Sequence, residues 1–395
     1  MKVALLSRAV FPLHGHGGLE RHVGSLKRHL ERAGCELRVF TSPPRHALSE
    51  PRDESYVFVP YRTLPWPRQQ GFVIADRNTN YLIWSLRVAR ELLRTFAPDI
   101  VQADAGAGFG YAWLRKEDSP PLVLHPHGME EFKTTPVKRA AYLPLRSATR
   151  YAARHAARVI APDASMVDDV QEHLGVESEK IVVIPNAIDL EEIDRQRESV
   201  NLGELGIDDT HTVLLSVGRL EDNKGFVDLV NALADVVDEM PAKWRWVLVG
   251  DGPARSRIDN AVRARGIGNQ TLLAGPTSEA VLHALYERAD LFVHPTLYEG
   301  SSMVTLEAMA HRTPVIATRV GGIPDKVVDG ISGLLVTPGD VEALGRSLAA
   351  AVSERDMLNE WGMEGRRIAE EAFSWTKRSA EILALYESLI GEEVG

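Results

Sequence analysis

The sequence predicts an α/β protein with two doubly wound, Rossmann-like domains that face each other across a cleft. Strand-like apolar runs alternate with helical patterns along the chain, which is typical of parallel sheets joined by crossover helices. The alternation stops at a polar, acidic stretch, 186–209, and then restarts. A length of 395 residues suits two such domains, and open sheets of this kind bind ligands at the carboxyl ends of their strands.

The first predicted domain comprises residues 1–188. Its strand-like runs are, in order, KVALLS, ELRVFT, YVFVPY, DIVQAD, PLVLHPH, ARVIAP and KIVVIPN. Helical patterns lie between them at 17–34, 79–96, 138–156 and 164–174. This order indicates right-handed crossovers between parallel strands.

The second predicted domain comprises residues 189–374, and a final amphipathic helix lies within 375–395. The strand-like runs of this domain are HTVLLSVG, WRWVLVG, TLLAG, LFVHP, PVIAT and GLLV. The helical patterns between them are GFVDLVNALADVVDEM, ARSRIDNAVRARG, SEAVLHALYERA and SMVTLEAMA. The second domain therefore repeats the architecture of the first at a similar size.

The charge is unevenly distributed. Residues 1–188 carry 25 Lys and Arg against 20 Asp and Glu, whereas the rest of the chain carries 20 against 35. No nucleic-acid recognition motif accompanies the basic residues, so we expect no nucleic-acid partner. A single cysteine, Cys35, and the lack of a signal-peptide pattern lead us to expect a cytoplasmic protein.

Several loops of the second domain follow strand-like runs and carry residues suited to a phosphorylated ligand. LLSVGRLEDNKGF places Gly218, Arg219 and Lys224 directly after a strand. An arginine and a lysine five residues apart can both reach one anion, such as a diphosphate. VLVGDGP and LLAGPTS place Gly250 and Gly275 at two further strand ends. Taken alone, the Arg-x4-Lys pair is more often a loop with two solvated cations.

Two glutamates follow the run LFVHP. Glu299 lies in the loop and Glu307 lies inside the helix that begins near Ser301. A helix N-terminus favours phosphate groups, and carboxylates accept hydrogen bonds from hydroxyl pairs such as those of a ribose or another sugar. The alternative is that both glutamates are solvated surface charges.

The second domain resembles the donor-binding half of the retaining GT-B glycosyltransferases of family GT4. The motifs that carry the resemblance are GRLEDNKG, VGDGP and the Glu-x7-Glu pattern EGSSMVTLE, and AMAHRTPVIATRVGGIPDKVVDGISGLLVTPGD continues it. The resemblance implies that Glu307 holds the nucleotide ribose and Glu299 holds hydroxyls of the donor sugar. It implies that Arg219 and Lys224 bind and neutralise the leaving diphosphate.

In the first domain the resemblance is carried by GHGGLERHV and LHPHGMEEF. It implies that His127 is an active-site histidine facing the donor sugar, and His125 is the competing candidate. It also implies that the helix within 375–395 crosses back to the first domain. His14, His16 and Glu20 are candidate acceptor contacts. The residues that it assigns to donor binding are Gly17, Gly18, Gly218, Arg219, Lys224, Gly250, Gly275, Glu299, Gly300, Ser301, Ser302, Met303 and Glu307.

The expected reaction is a retaining transfer from a nucleotide-diphosphate sugar, such as a UDP- or GDP-sugar, to an acceptor hydroxyl by front-face attack. His127, Arg219, Lys224 and Glu299 are the expected catalytic residues. No Asp-x-Asp motif is placed to hold a metal, so we expect no metal and no other cofactor. A nucleotide-sugar epimerase, a sugar phosphorylase and a non-catalytic sugar-nucleotide-binding protein are the alternatives. The residues after Gly300 leave the donor sugar open.

The stretch 137–159 carries Arg146, Arg150, Arg154 and Arg158 at four-residue spacing. On one helix this spacing predicts a slowly drifting basic stripe. A basic amphipathic helix near 138–158 can lie on anionic lipid, so peripheral contact with the inner face of the membrane is a second expectation. In that case the expected acceptor is a lipid-linked molecule. The alternative is that the basic helix face is simply solvated, and the expected acceptor is then a soluble sugar or another small molecule.

Overall fold

A computed structural model describes residues 1–15, 17–44, 53–61, 73–129, 131–132, 136–195 and 200–392. It divides into two compact units. The first unit is Met1–Asn186 together with Trp375–Gly395, and the second is Ala187–Ser374. The boundary predicted from the sequence lies two residues later, between residues 188 and 189.

The first unit contains a seven-stranded parallel sheet in the order β3-β2-β1-β4-β5-β6-β7. Its strands are β1 (Lys2–Leu6), β2 (Glu36–Thr41), β3 (Tyr56–Phe58), β4 (Ile100–Asp104), β5 (Leu122–His125), β6 (Arg158–Ala161) and β7 (Ile181–Val183). The strands β4 and β5 are buried at every position, as expected for central strands that helices cover on both faces.

Helices connect these strands. They are α1 (Gly18–Arg32), α2 (Val73–Thr95), α3 (Phe109–Leu114), α4 (Pro136–Ala141), α5 (Leu143–His155) and α6 (Val167–Leu174). The helices predicted from the sequence do not include α3, and a single helix is predicted where α4 and α5 are separate. The break falls at Tyr142, because Pro144 lacks an N–H and is tolerated in the first turn of a helix but not in an interior.

The second unit contains a six-stranded parallel sheet in the order β10-β9-β8-β11-β12-β13. Its strands are β8 (Thr212–Val217), β9 (Trp244–Val249), β10 (Thr271–Gly275), β11 (Leu291–His294), β12 (Val315–Thr318) and β13 (Gly333–Val336). Alternate residues of β8 enter two separate cores: Leu214 belongs to one, and Val213 and Leu215 belong to the other. The two cores are the two helix-covered faces of the sheet.

The helices of this unit are α7 (Leu190–Arg195), α8 (Phe226–Asp235), α9 (Arg255–Ala264), α10 (Glu279–Arg288), α11 (Met303–Ala310), α12 (Val341–Ser353) and α13 (Arg355–Ala372). The helices predicted from the sequence do not include α12 or α13, and the segment of α7 is predicted as a linker. Both sheets reverse their strand order once, between β1 and β4 and between β8 and β11. Ligand sites of open α/β sheets lie at the carboxyl ends of the strands beside such a reversal.

A last helix, α14 (Trp375–Glu392), packs on α1 of the first unit. The Trp375 ring stacks on His29 with a centroid distance of 5.7 Å and lies 5.1 Å from the ring of His22. Farther along α14, the Tyr386 hydroxyl donates to the side-chain oxygen of Gln102 in β4. These contacts attach the end of the chain to the sheet that begins it.

Candidate active site

The carboxyl edge of the second sheet holds a buried ion pair. The Nζ atom of Lys224 lies 2.9 Å from Oε2 of Glu299. The same oxygen lies 3.1 Å from Nε2 of His294, the last residue of β11. The backbone N–H of Gly300 donates to the other carboxylate oxygen at 3.2 Å. The Glu299 carboxylate is therefore fixed by three donors within the second unit.

A left-handed glycine brings Lys224 to this carboxylate. Gly225 has a φ of +67°, and a Cβ there would lie 2.0 Å from the carbonyl oxygen of Pro295. Only glycine allows the chain to turn into α8 and pass so close to the loop after β11. The backbone N–H of Leu297 also donates to the carbonyl of Asn223 at 2.7 Å. Two loops distant in sequence are thus joined by main-chain contacts.

The Lys224–Glu299 pair determines the charge state of the site. Burial by itself raises the pKa of the Glu299 carboxyl, but the Lys224 ammonium and the hydrogen bond from His294 outweigh burial and hold that pKa well below its ordinary value. Burial lowers the pKa of the His294 imidazole, although Glu299 opposes this. The carboxylate is therefore ionised and the imidazole neutral near neutral pH.

Arg219 has a different partner from Lys224. Its Nη1 atom lies 2.9 Å from Oε1 of Glu221, and 58% of its side chain is exposed. The Arg-x4-Lys motif predicts that both cations bind one anion, whereas here each cation faces its own carboxylate. An exposed arginine in a loop can change rotamer at little cost, so Arg219 is the more adaptable of the two.

Glycines bring three strand ends together beside the pair. The backbone N–H of Gly218 donates to the carbonyl of Val249 at 3.0 Å, and that of Gly250 donates to Gly275 at 2.9 Å. Gly250 has a φ of +131°, and a Cβ there would lie 1.9 Å from the carbonyl oxygen of Gly218. Any side chain at residue 250 would separate these loops, which explains the glycine.

The loop that follows Glu299 leads into α11. Ser302 caps this helix, since its Oγ accepts from the backbone N–H of Thr305 at 3.3 Å, and Met303 is the first helical residue. The hydroxyl oxygen of Ser301 accepts from Nζ of Lys326 at 3.1 Å. Lys326 is fully buried, so a cation lies directly behind the loop. The arrangement favours an anion at the N-terminus of α11.

Glu307 is the fifth residue of α11 and is buried. Its Oε2 atom accepts from the hydroxyl of Tyr286 in α10 at 2.9 Å. Each glutamate of the Glu-x7-Glu pattern thus has a buried hydrogen-bond donor that sequence analysis misses, His294 for Glu299 and Tyr286 for Glu307. His294 could have been identified from the sequence as a polar residue at the end of an apolar strand. Nothing in the helical pattern around Tyr286 indicates that its hydroxyl contacts Glu307.

The carboxyl edge of the first sheet holds a cluster of histidines. His127 has a φ of +56°, and its Nε2 atom lies 2.9 Å from Oδ1 of Asp104, the last residue of β4. The ring of His125 lies 3.9 Å from that of His127, and the ring of His22 lies 4.8 Å from that of His125. His127 and His125 are predicted from the sequence, whereas Asp104 and His22 are not.

The histidines behind His127 are held neutral. Burial and the nearby His127 lower the pKa of His22 to about 3. The same two causes, with His22 in addition, lower the pKa of His125 well below its ordinary value. The two candidate histidines at this strand end therefore differ in exposure and in their partners. His125 is 1% exposed, whereas the His127 side chain is 13% exposed and paired with a carboxylate.

The Gly-Gly loop of the first unit precedes α1. Gly17 is its N-cap residue and Gly18 its first helical residue. The ring of His14 contacts two loops: its Nε2 lies 2.8 Å from the carbonyl oxygen of Ser42, which follows β2, and its Nδ1 accepts from the backbone N–H of Val10 at 3.1 Å. Both ring nitrogens therefore have backbone partners, and the assignment of His14 as an acceptor contact stays a prediction. His16 lies outside the described residues.

The predicted basic stripe is wrong as a helix face. Arg146 is buried with its guanidinium 4.8 Å from the Phe132 ring centroid, and Arg150 donates from Nε to the carbonyl of His173 at 2.6 Å. Arg158 lies in β6 rather than on a helix. The prediction is wrong because a helix beside a sheet must bury one face. Residues spaced by four do not stay at one position around a helix, and this gradual rotation places Arg146 on the buried face.

The described part of the chain contains no group of three or more His, Cys, Asp and Glu side chains that could hold a metal ion. Within the same ranges, no helix has the length and apolar character needed to cross a membrane.

Two family models match the chain, one on its first half and one on its second half. Glycosyltransferase Family 4 matches residues 16–192, and Glycosyl transferases group 1 matches residues 199–368. Among curated proteins, the chain is 28% identical to alpha-maltose-1-phosphate synthase of Mycolicibacterium smegmatis, over 98% of this chain and 100% of the relative.

Solved structures share the architecture. Sucrose-phosphate synthase from Thermosynechococcus elongatus has a TM-score of 0.81 at 21% identity, with 99% of both chains covered. HepE of Anabaena in complex with UDP-glucose has a TM-score of 0.73 at 20% identity, with 98% of this chain and 100% of that chain covered. Likeness at this level of identity establishes the fold, which is GT-B.

Proposed function

This chain belongs to the GT4-type glycosyltransferases, and we propose that it moves a sugar from a nucleotide-diphosphate sugar to an acceptor hydroxyl with retention of the anomeric configuration. The observation that carries the proposal is the buried Lys224–Glu299 pair at the carboxyl edge of the second sheet. A sugar nucleotide presents a diphosphate next to sugar hydroxyls, and this pair offers a cation next to a carboxylate.

The donor phosphates are assigned to Arg219, Lys224 and the backbone amides of residues 300–303. Lysine has three N–H donors, so Lys224 can bind a phosphate oxygen and keep its contact with Glu299. Arg219 can leave Glu221 and form a bidentate contact with the diphosphate. Glu299 is assigned to hydroxyls of the donor sugar, and Glu307 to the ribose.

The reaction breaks the bond between the anomeric carbon and the diphosphate oxygen. The acceptor oxygen forms its bond to the same carbon on the same face, and a phosphate oxygen of the leaving group takes the acceptor proton. The products are the glycoside and the nucleoside diphosphate. Cations and helix-end amides that stabilise the departing charge are the main protein contribution, so the mechanism needs no protein nucleophile and, as proposed, no metal.

A UDP-sugar is the first donor to test, with a GDP-sugar second. The support for UDP is that HepE, a structural neighbour, is described in complex with UDP-glucose. The assignment of His127 to the donor sugar stays a prediction. A His127→Ala variant with wild-type melting temperature and wild-type transfer rate would contradict it.

The test begins with thermal stabilisation by UDP-, GDP-, ADP- and TDP-sugars. A donor at about 100 times its dissociation constant adds about 2.7 kcal/mol to the free energy of unfolding. The stabilising donor is then incubated in EDTA with a panel of sugar and sugar-phosphate acceptors. NMR follows the anomer of the glycoside and, without acceptor, the anomer first released by slow hydrolysis.

We expect products that retain the donor configuration in EDTA. An inverted anomer, or activity that requires Mn²⁺, would overturn the mechanism. Isomerised nucleotide sugar in the absence of acceptor would favour the epimerase alternative. Tight binding without transfer or hydrolysis would favour a non-catalytic sugar-nucleotide-binding protein.

A further inference from the structure

His294 lies against the Lys224–Glu299 pair. It ends β11 with 1% of its surface exposed. Its Nε2 atom is 3.1 Å from the Glu299 oxygen that Lys224 also contacts. Neither the family resemblance nor the donor assignment gives this histidine a role. Its side chain lies too deep to serve merely as a solvated surface group.

The tautomer of His294 follows from its partner. An ionised carboxylate can only accept hydrogen bonds, so the nitrogen that faces Glu299 must carry the proton. The Nδ1 atom is buried and has no hydrogen-bond partner within the described ranges. A neutral ring protonated at Nε2 fits both facts, because it leaves an acceptor rather than a donor unsatisfied.

The hydrogen bond gains importance when donor binds. Lys224 then shares its ammonium between Glu299 and a phosphate, so the carboxylate loses part of its ionic partner. A buried carboxylate with too few donors either takes up a proton or moves. A neutral N–H donor beside it prevents both and adds no charge that would compete for the diphosphate.

We propose that His294 is a positioning residue for the donor sugar: its neutral Nε2–H bond fixes the Glu299 carboxylate while Lys224 engages the diphosphate. The inference rests on the proposed function, since Glu299 must contact the sugar. It also predicts which part of the ligand is affected. Nucleoside diphosphate alone lacks the sugar, so its binding is independent of His294.

The experiment compares His294→Phe, His294→Gln and His294→Asn in the full chain. Phenylalanine keeps a ring but has no donor, glutamine places an N–H near the position of Nε2, and asparagine is too short. A matched control is His211→Phe, which makes the same change just before β8, at the opposite edge of the same sheet. Measurements are melting temperature, nucleoside-diphosphate affinity, and kcat and KM for the donor.

We expect His294→Phe to bind nucleoside diphosphate within about twofold of the wild type while kcat/KM for the donor falls roughly ten- to a hundredfold, the range for a hydrogen bond to a charged group. The glutamine variant should recover most of this loss and the asparagine variant little. The His211→Phe control should keep wild-type kinetics. Equal losses in the glutamine and phenylalanine variants, or unchanged kcat/KM in His294→Phe, would overturn the inference.

If His294→Phe does not fold, the comparison between the glutamine and asparagine variants tests the inference instead. Equal kcat/KM in these two variants would overturn it. A parallel loss of nucleoside-diphosphate affinity would also contradict it, because the effect would then include the phosphate site. Failure of the proposed function looks different. In that case the wild-type protein itself neither binds nucleoside diphosphates nor transfers or hydrolyses any nucleotide sugar.

Discussion

The carboxyl edges of the two sheets have the same topology but hold different kinds of buried polar groups. The second edge contains an ion pair, Lys224 with Glu299, and a neutral His294. The first edge contains a histidine cluster beside the Asp104 carboxylate. Burial keeps at least His22 of this cluster uncharged, with a pKa lowered to about 3. The topology thus determines where side chains converge, and the residue types determine the charge that converges there.

The difference matters for what each edge can bind. A paired cation and carboxylate beside a helix N-terminus suit a ligand with both phosphates and hydroxyls. Neutral imidazoles repel neither cations nor anions and suit uncharged hydroxyl groups. We therefore interpret the second edge as the donor side. Four changes test this contrast, in order of decreasing expected effect.

The largest effect is expected for Lys224→Met. The substitution removes the cation and leaves Glu299 as an uncompensated buried charge, which costs about 3–5 kcal/mol of stability in comparable pairs. Loss of leaving-group stabilisation should also lower kcat by about a hundredfold or more. Chemical denaturation and steady-state kinetics measure the two effects. Wild-type stability in this variant would show that the pair is not buried as described.

Arg219→Ala should lower the turnover rate without lowering the stability of the protein. The Arg219 side chain is 58% exposed, and its Nη1 atom lies 2.9 Å from Oε1 of Glu221 in the same loop, so the melting temperature should stay within about a degree, as for most surface substitutions. We expect kcat to fall about a hundredfold, roughly 3 kcal/mol of barrier, if Arg219 binds the diphosphate. Near-normal turnover would remove Arg219 from the donor site.

Between pH 7.5 and 5, acid should weaken the first unit through His22 while the Glu299 carboxylate of the second unit stays ionised. The folded-state pKa of His22 is about 3, below its unfolded value of 6.5, so between these values the unfolded chain binds more protons and stability falls as pH falls. The loss from pH 7.5 to 5 is about 2 kcal/mol for this group. Glu299 has a depressed pKa, so its contribution persists until the pH drops below the ordinary carboxylate range.

Urea unfolding at pH 7.5 and pH 5 of the wild type and of His22→Phe measures this contribution. The variant should lose less stability between the two pH values, because it has no ring to protonate at that site. An identical loss in both proteins would mean that His22 does not control the acid response of the first edge.

The smallest effect is expected for Tyr286→Phe. It removes only the hydroxyl that donates to Glu307 at 2.9 Å. A hydrogen bond to a charged group contributes about 1.5–3 kcal/mol, but the ring remains packed and other contacts of Glu307 persist, so we expect the donor KM to rise several-fold with kcat nearly unchanged. A larger change in kcat than in KM would place Glu307 at the reacting centre instead of the ribose.

The parts that the sequence predicted well depend on local patterns. The strand-like runs KVALLS and HTVLLSVG correspond to β1 and β8, and the helical pattern before Gly34 corresponds to α1. Glu299 and Lys224 were selected because each follows a buried strand, and parallel strands place their carboxyl ends at one edge. The GT-B fold and the glycosyltransferase family were likewise accessible from motifs.

The parts that the sequence missed depend on partners far apart in the chain. The Tyr286 hydroxyl in α10 donates to Glu307 in α11, and the ring of His22 in α1 contacts that of His125 in β5. The basic stripe failed for the same reason, since spacing in sequence does not show which helix face the sheet covers.

The sequence by itself determined two parallel sheets, their order along the chain, and which loops carry cations, carboxylates and glycines. It did so because continuous apolar runs and helical apolar patterns are properties of neighbouring residues. Only the tertiary structure decided that Lys224 bonds to Glu299 while Arg219 does not, and that His294 holds the same carboxylate. These choices depend on distances of about 3 Å between residues of different loops, on burial, and on the charge states that burial permits.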